Sequence, residues 1–341
     1  MENRFLAILL IFCATLCGCG GDAALSPAHR GIYHWKTVYN PSKWELDWMR
    51  QHRVDRLYIK LFDIEPGAKN GYDDWTMVPV ATTQFRQKLP DNLDVVPVVY
   101  ITVDAIRALE NDFERDADLR FANMIVKRID DMMGENYGGT VREIQLDCDW
   151  TKQTQCSYFS LCLNIRRLLH ERGITLSGTV RLHQLPLLAF PPEKNYSVRY
   201  VGSTPVCDSV PFDRSLLMCY NTGQLQNRKT RNSILDFNDA MPYLRQYPKD
   251  SLLYCDVAWP VYGWGVEFDQ SGEFVRLVNS HDLTTDVVPS LRVEWGETEE
   301  IKKMQNTLPK LDKDHTTILF HLDSLNLSKY SHDEIETIYS R

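Results

Sequence analysis

Read at alternate positions, the segment EIQLDCDWT (143–151) sends Gln145, Asp147 and Asp149 to one side of an extended chain and Ile144, Leu146 and Cys148 to the other. Two carboxylates on one face are raw material for acid–base chemistry, because charges crowded into a partly dry cleft shift one another's proton affinity. The same alternation in other apolar runs selects Tyr58 with Lys60, Tyr100 with Thr102, and Thr179 with Arg181 and His183. It also selects Met218 with Tyr220, then Asp256, then His321 with Asp323, and leaves His34 and Lys36 in GIYHWKT ambiguous. Asn221 follows Tyr220, and Trp264 lies between two glycines in AWPVYGWG. Such a set can hold a polyhydroxylated ligand, with carboxylates, amide and guanidinium for the hydroxyls and aromatic rings for the apolar faces. His183 or His321 can also supply a proton near neutrality.

The elements that must position these residues form a regular series. Eight β-rich runs are expected near 31–36, 56–62, 94–102, 143–149, 175–183, 215–221, 252–258 and 316–323. Helical stretches lie between them, the clearest at 155–172 and at 119–133 with a stripe from Leu119 to Met133. Ser42 and Glu45 make a capping box ahead of Trp44, and Pro242 belongs in a first helical turn or produces a kink. Eight strands alternating with crossovers predict a (β/α)8 barrel with long loops after strands two and five, at 65–92 and 185–214. An open doubly wound sheet is the rival, without a glycine-rich phosphate turn after its first strand. In a barrel the selected side chains face the axis and gather toward the catalytic end. The competing reading is a neutralised network in which Lys60 and Arg181 bridge Asp147, Asp149 and Asp323 merely to fill the barrel.

The QLDCDWT motif resembles a distant version of the DxDxE strand of chitinase-like glycoside hydrolases, and the strand order resembles exported bacterial lipoproteins with glycosidase-like barrels. The resemblance implies that Asp147 and Asp149 stand at the family's supporting aspartates, whereas Thr151 occupies the place of its acid glutamate. A second arrangement of the same fold takes Asp149 at the end of strand four as acid and Asp256 at the end of strand seven as nucleophile. Carboxyl separations of about 5–5.5 Å would mean retention and about 6.5–9.5 Å inversion. The expected function is hydrolysis of a glycosidic bond with Asp147, Asp149 and Asp256 as the catalytic carboxylates. Lys60, Tyr100, Arg181, His183, Tyr220, Asn221, Trp264, His321 and Asp323 would bind substrate. The alternative is a non-catalytic surface glycan-binding protein, which Thr151 favours. Of the other aromatics, Trp35, Trp75 and Tyr262 are near strand ends, while Trp150 and Trp259 have the parity of residues packed against helices.

Composition narrows the remaining classes. The formal charge of −8 without a basic block argues against nucleic acid as partner. No HxH on strand one, HExxH or GxSxG is present, so neither a metal nor a cofactor is expected. Residues 1–18 read as a lipoprotein signal peptide, with Arg4, an apolar run from Phe5 to Ala14, and Gly18 preceding Cys19, the residue to be lipidated. Residues 19–29 would be a tether and 30–341 a single barrel domain, held at the bacterial cell envelope by the lipid alone. The remaining cysteines, Cys148, Cys156, Cys162, Cys207, Cys219 and Cys255, contain no CxxC pair and are expected as mostly buried thiols.

Overall fold

The computed structural model describes residues 29–67, 77–110, 116–188, 198–201, 204–207, 210–245, 255–283, 290–308 and 314–340. The expected signal peptide, Cys19, nearly all of the tether, and Trp75 lie outside them.

Eight strands form the framework: β1 (His29–His34), β2 (Arg56–Pro66), β3 (Asp94–Ile101), β4 (Glu143–Asp147), β5 (Thr175–Arg181), β6 (Arg214–Met218), β7 (Cys255–Pro260) and β8 (Thr316–Phe320). All pair in parallel with their sequence neighbours, and Gly31 pairs with Ile318 of β8 on one side and Arg56 of β2 on the other. That closure makes a (β/α)8 barrel and excludes the doubly wound sheet. Outward side chains such as Leu57, Ile59, Val95, Ile144 and Leu176 are fully buried under helices, as are Trp150 and Trp259. Among the helices, α3 (Ala117–Asn136) and α4 (Gln155–His170) bury the stripes expected of them, except that Leu119 is exposed. The Ser42 hydroxyl accepts from the Glu45 N–H at 3.2 Å and the Glu45 carboxylate from the Ser42 N–H at 2.7 Å, capping α1 (Lys43–Gln51). Pro242 falls in the second turn of α5 (Phe237–Leu244), which ends two residues later. Cys148, Cys156, Cys162 and Cys219 are free thiols.

The barrel axis is filled by rings and branched chains in its middle, Tyr33, Tyr58, Val96, Val98, Leu216, Met218 and Ile318, and by charge at both ends. At the N-terminal end Arg56 approaches Glu143 at 3.4 Å, and Arg214 donates to Asp256 at 2.6 Å. The Asp256 carboxylate also accepts from the Thr316 backbone N–H at 2.7 Å. Its parity is inward, as alternation requires, but it is the second residue of β7. At roughly 3.3 Å per residue it sits about 13 Å below Pro260 at the other end. Asp256 therefore cannot pair with Asp149 across a glycosidic bond, and the expected nucleophile is a structural ion-pair partner. Replacing it by Ala would take from the Arg214 guanidinium its carboxylate partner and lose the Thr316 bond, so urea denaturation should show a loss of about 3–5 kcal/mol while ligand binding in the folded variant is unchanged.

Between β7 and β8 the chain builds a small antiparallel sheet, with Gly263–Phe268 flanked by Phe274–Asn279 and Leu291–Trp295. Its first hairpin turns at Asp269, whose carboxylate accepts from the Ser271 and Glu273 N–H groups at 2.9 Å. The hairpin is formed by VEFDQSGEFVRLV (266–278), and Leu291–Trp295 pairs on the other edge of its first strand.

Candidate functional site

The C-terminal ends of the strands open into a cleft of about 750 Å³. Asp147 is the last residue of β4 and is buried there. Thr179 of β5 donates to its Oδ1 at 2.5 Å and Arg181 approaches the same oxygen at 3.4 Å, leaving Oδ2 buried without a partner. Asp149, two residues beyond and half-exposed, accepts from Arg181 Nε at 2.5 Å. One guanidinium thus binds both carboxylates, with its carbon 5.9 Å from the centre of the Tyr220 ring. Burial pushes the Asp147 carboxyl above its ordinary range; Arg181 opposes this and the charge of Asp149 adds to it. Burial alone would loosen the proton on Arg181, but Asp147, Tyr220 and Asp149 hold it more firmly than usual.

The other side of the cleft has its own pairs. A bulge in β2 between Lys60 and Phe62 interrupts strict alternation, and Asp63 reaches the cleft with its carboxylate 3.0 Å from Lys60 Nζ. Lys60 lies below, 5.5 Å from the centre of the Trp35 ring, and does not line the cleft. In β8 the inward positions are Ile318 and Phe320, opposite to the expected parity. His321 and Asp323 reach the cleft because the strand ends at Phe320 and the chain leaves the ladder. Asp323 accepts from Lys36 at 2.9 Å and from His281 at 3.0 Å, and caps α7 (Ser324–Leu327) through the Asn326 N–H. Burial works to raise its carboxyl, but these donors outweigh it and hold the group at about 2. Burial likewise pushes the imidazoles of His321 and of neighbouring His34 down to about 4.

An aromatic series crosses the floor. Trp35 meets Phe320 at 5.5 Å between ring centres, Phe320 meets Tyr220 at 5.4 Å and Tyr262 at 5.7 Å, and Tyr262 meets Trp264 at 5.4 Å. Tyr262 donates to the Asn221 side-chain oxygen at 3.0 Å, and Trp264 Nε1 to Glu294 at 2.8 Å. Asn221 has φ of 57°, a left-handed conformation that asparagine tolerates better than most residues.

The structure therefore brings Tyr100, Asp147, Asp149, Arg181, Tyr220, Asn221, Trp264, His321 and Asp323 to one cleft. It leaves Lys60 beneath the floor, Asp256 at the far end, and His183 exposed on the 3-10 turn Leu182–Leu188, because β5 stops at Arg181. Thr151 does not line the cleft; its N–H donates to Thr154 at 3.0 Å at the start of α4. Asp63, Lys36 and His281 are cleft residues that alternation did not select. Asp63 depends on the bulge and His281 on the inserted sheet, neither of which has a local signal; Lys36 was visible but its parity was not.

Among the described residues the side chains whose ligand atoms converge as a metal site would need are His52, His332 and Glu336, outside the cleft. The Glu336 carboxylate already accepts from Arg30 at 2.9 Å and from Arg53 at 2.7 Å, so the set offers poor ground for a cation.

No protein-family model and no curated protein matches the sequence. Among solved structures the chain is similar to the Ostrinia furnacalis group IV chitinase in complex with allosamidin, at 10% identity and TM-score 0.52 over 91% of this chain and 97% of that one. It is similar to the chitinase from Chromobacterium violaceum at 11% identity and TM-score 0.51, covering 92% and 99%. The class V chitinase from Nicotiana tobaccum matches at 10% identity and TM-score 0.51, covering 91% and 97%. At such identities the likeness shows the fold alone, a (β/α)8 barrel.

The two depressed histidines set a pH dependence. Between pH 6.5 and about 4 the unfolded chain binds protons that folded His34 and His321 refuse, so stability is full above pH 6.5 and is lost as pH falls toward 4. The contribution of buried His34 is of the order of 3 kcal/mol. Asp323 adds a further loss only below its unfolded value near 3.8. Buried Asp147 and Glu143, with raised carboxyls, contribute in the opposite sense, so the check is the difference: His34→Gln should remove the part of the Tm change between pH 4 and 7 that rises with pH.

Proposed function

We propose that the cleft binds a neutral oligosaccharide and holds it without cleaving it. The carrying observation is that its carboxylates are already committed: Asp63 to Lys60 at 3.0 Å, Asp147 and Asp149 to Arg181 at 3.4 and 2.5 Å, and Asp323 to Lys36 at 2.9 Å. Such a cleft offers little net charge to an ionic ligand. Its aromatic floor and the polar edges of Asn221, Tyr262 and Asn279 suit a ligand with flat apolar faces and many hydroxyls. The proton donor that bond cleavage needs is lacking where the chitinase-like motif would carry it, since Thr151 is turned into the start of α4.

Hydrolysis is the second reading, and one observation favours it. Asp147 has raised proton affinity and a buried oxygen without a partner, so a shift of Arg181 on ligand binding would leave it as an acid with the Asp149 carboxyl beside it. Display of the domain from a bacterial membrane through lipidated Cys19 is part of the same proposal, resting on the pattern around Gly18 and Cys19.

One related ligand offers a starting point: a mutant of the tobacco enzyme was captured in complex with NAG4. Calorimetric titration of this protein with NAG4 and with neutral glucan tetramers should show binding to at least one of them. Trp264→Ala should weaken it at least about tenfold, or about 1.4 kcal/mol, by removing a stacking face. No new reducing ends should appear. Reducing ends that form with the wild type and vanish in Asp149→Asn would establish hydrolysis instead.

A further inference from the structure

The wall formed by the inserted sheet has a second side. On strand Leu291–Trp295 the side chains alternate, so Glu294 turns toward Trp264 and the cleft while Trp295 turns away from it. Trp295 lines a separate groove of about 630 Å³, bounded by the start of α6 (Thr298–Thr307) and by the segment leading into α8 (His332–Tyr339).

The ring is held in place from several directions. A β-carbon on Gly263, which itself lines the cleft, would stand 2.4 Å from the Trp295 ring, so the indole rests directly on that glycine's backbone. A β-carbon on Gly296 would stand 2.0 Å from the Pro260 carbonyl oxygen, so the strand end is pressed against the top of β7. The Tyr330 hydroxyl donates to the Gly296 carbonyl at 2.7 Å and fixes the same corner. The residue is nevertheless only partly buried, and what stands over its ring is the exposed Lys329, with Nζ 5.7 Å from the ring centre. An exposed lysine is displaced at little cost, whereas a clamped indole loses no further freedom when a ligand stacks on it. Around the ring Glu299 and Lys302 form a solvent-exposed pair at 2.7 Å, whose groups can turn to sugar hydroxyls.

We propose that this groove is a second saccharide-binding surface, with Trp295 as its stacking platform, for a neutral polysaccharide that also occupies the cleft. The proposal rests on the cleft reading for the class of ligand, but not on any residue of the cleft for its platform. Groove and cleft lie on opposite sides of Gly263, so one polymer or two neighbouring chains can engage both. The second contact then adds avidity without a new contact in the cleft.

The test labels the full chain with 5-fluorotryptophan, assigns the Trp35, Trp264 and Trp295 signals by substitution, and titrates NAG4 and cello-, malto- and mannotetraose at millimolar concentration. The expected result is a saturable shift of the Trp295 signal with a neutral sugar, which persists in Trp264→Ala. In parallel, Trp295→Ala should lower retention on the insoluble polymer of that sugar about tenfold, with tetramer affinity read at Trp35 unchanged. Because Trp295→Ala removes a packed ring, Thr337→Trp serves as the second variant: it fills the groove from its rim and should produce the same loss. A Trp295 signal unmoved by every sugar overturns the proposal. If Trp35 and Trp264 still respond, the cleft reading survives alone. If neither set responds, both fall.

Discussion

The contact on which the upper half of the barrel depends is the single guanidinium of Arg181 lying between Asp147 and Asp149. Buried Asp147 loses its hydration at the mouth of a largely apolar barrel and is repelled by half-exposed Asp149, so a cation at contact distance is needed to hold it there. Arg181 meets that requirement from the neighbouring strand, with its planar fork directed at both oxygens and Tyr220 beside it. Thr179, two residues earlier on the same strand, donates its hydroxyl to the same Asp147 oxygen that Arg181 approaches, so Oδ2 is left without a partner. Because β4 and β5 rise in step, with Leu146 paired to Gly178, Thr179 and Arg181 follow at the level of Asp147 and, just past the end of β4, Asp149.

The same constraint, applied at the opposite end, accounts for Arg56, Glu143, Arg214 and Asp256. Among the described residues, ion-paired charge sits at the two rims of the barrel, separated by a middle of tyrosines and branched chains. The two sets differ in what surrounds them. The lower one is closed off by backbone, with the Thr316 N–H taking an Asp256 oxygen, while the upper one opens on a cleft walled by rings. Position along the strand, rather than residue type or parity, thus decides which aspartate can meet a ligand. Asp256 and Asp149 look alike in a pattern of alternation and are physically unlike.

Legibility in the sequence followed the same physics. The closed barrel was readable because eight strands buried on both faces must be nearly continuous apolar runs, and because Gln145, Asp147 and Asp149 break one such run with strict period two. Alternation also found Arg181, Tyr220 and Tyr100, all of which face the axis. It failed wherever the ladder itself departs from period two. The bulge at Lys60–Phe62 brought in Asp63, and the end of β5 at Arg181 turned His183 out to solvent. His321 and Asp323 were placed rightly for a wrong reason, since Phe320 holds the inward position and they arrive from the loop. Local composition carries no record of a bulge or of where a strand releases its neighbour, because both are settled by the closure of the whole barrel.

The inserted sheet explains why the cleft is more than the mouth of a barrel. Strands β1 to β8 alone supply the floor of Trp35, Tyr220 and Phe320, while Trp264, Val278 and His281 come from the insertion. Its attachment is made by polar contacts to the rest of the barrel: His281 on Asp323, Glu294 on Ser233, and Tyr262 on Asn221. Asp323 is at once the anion of Lys36, the anchor of His281 and the cap of α7, so its carboxylate is fully engaged in holding the wall in place. A group that must stay ionised to keep three partners cannot also shuttle a proton. The same holds for Asp149 while Arg181 grips it, and Thr151 faces its helix. On the proposed binding reading, these engaged carboxylates serve to hold the shape of the cleft.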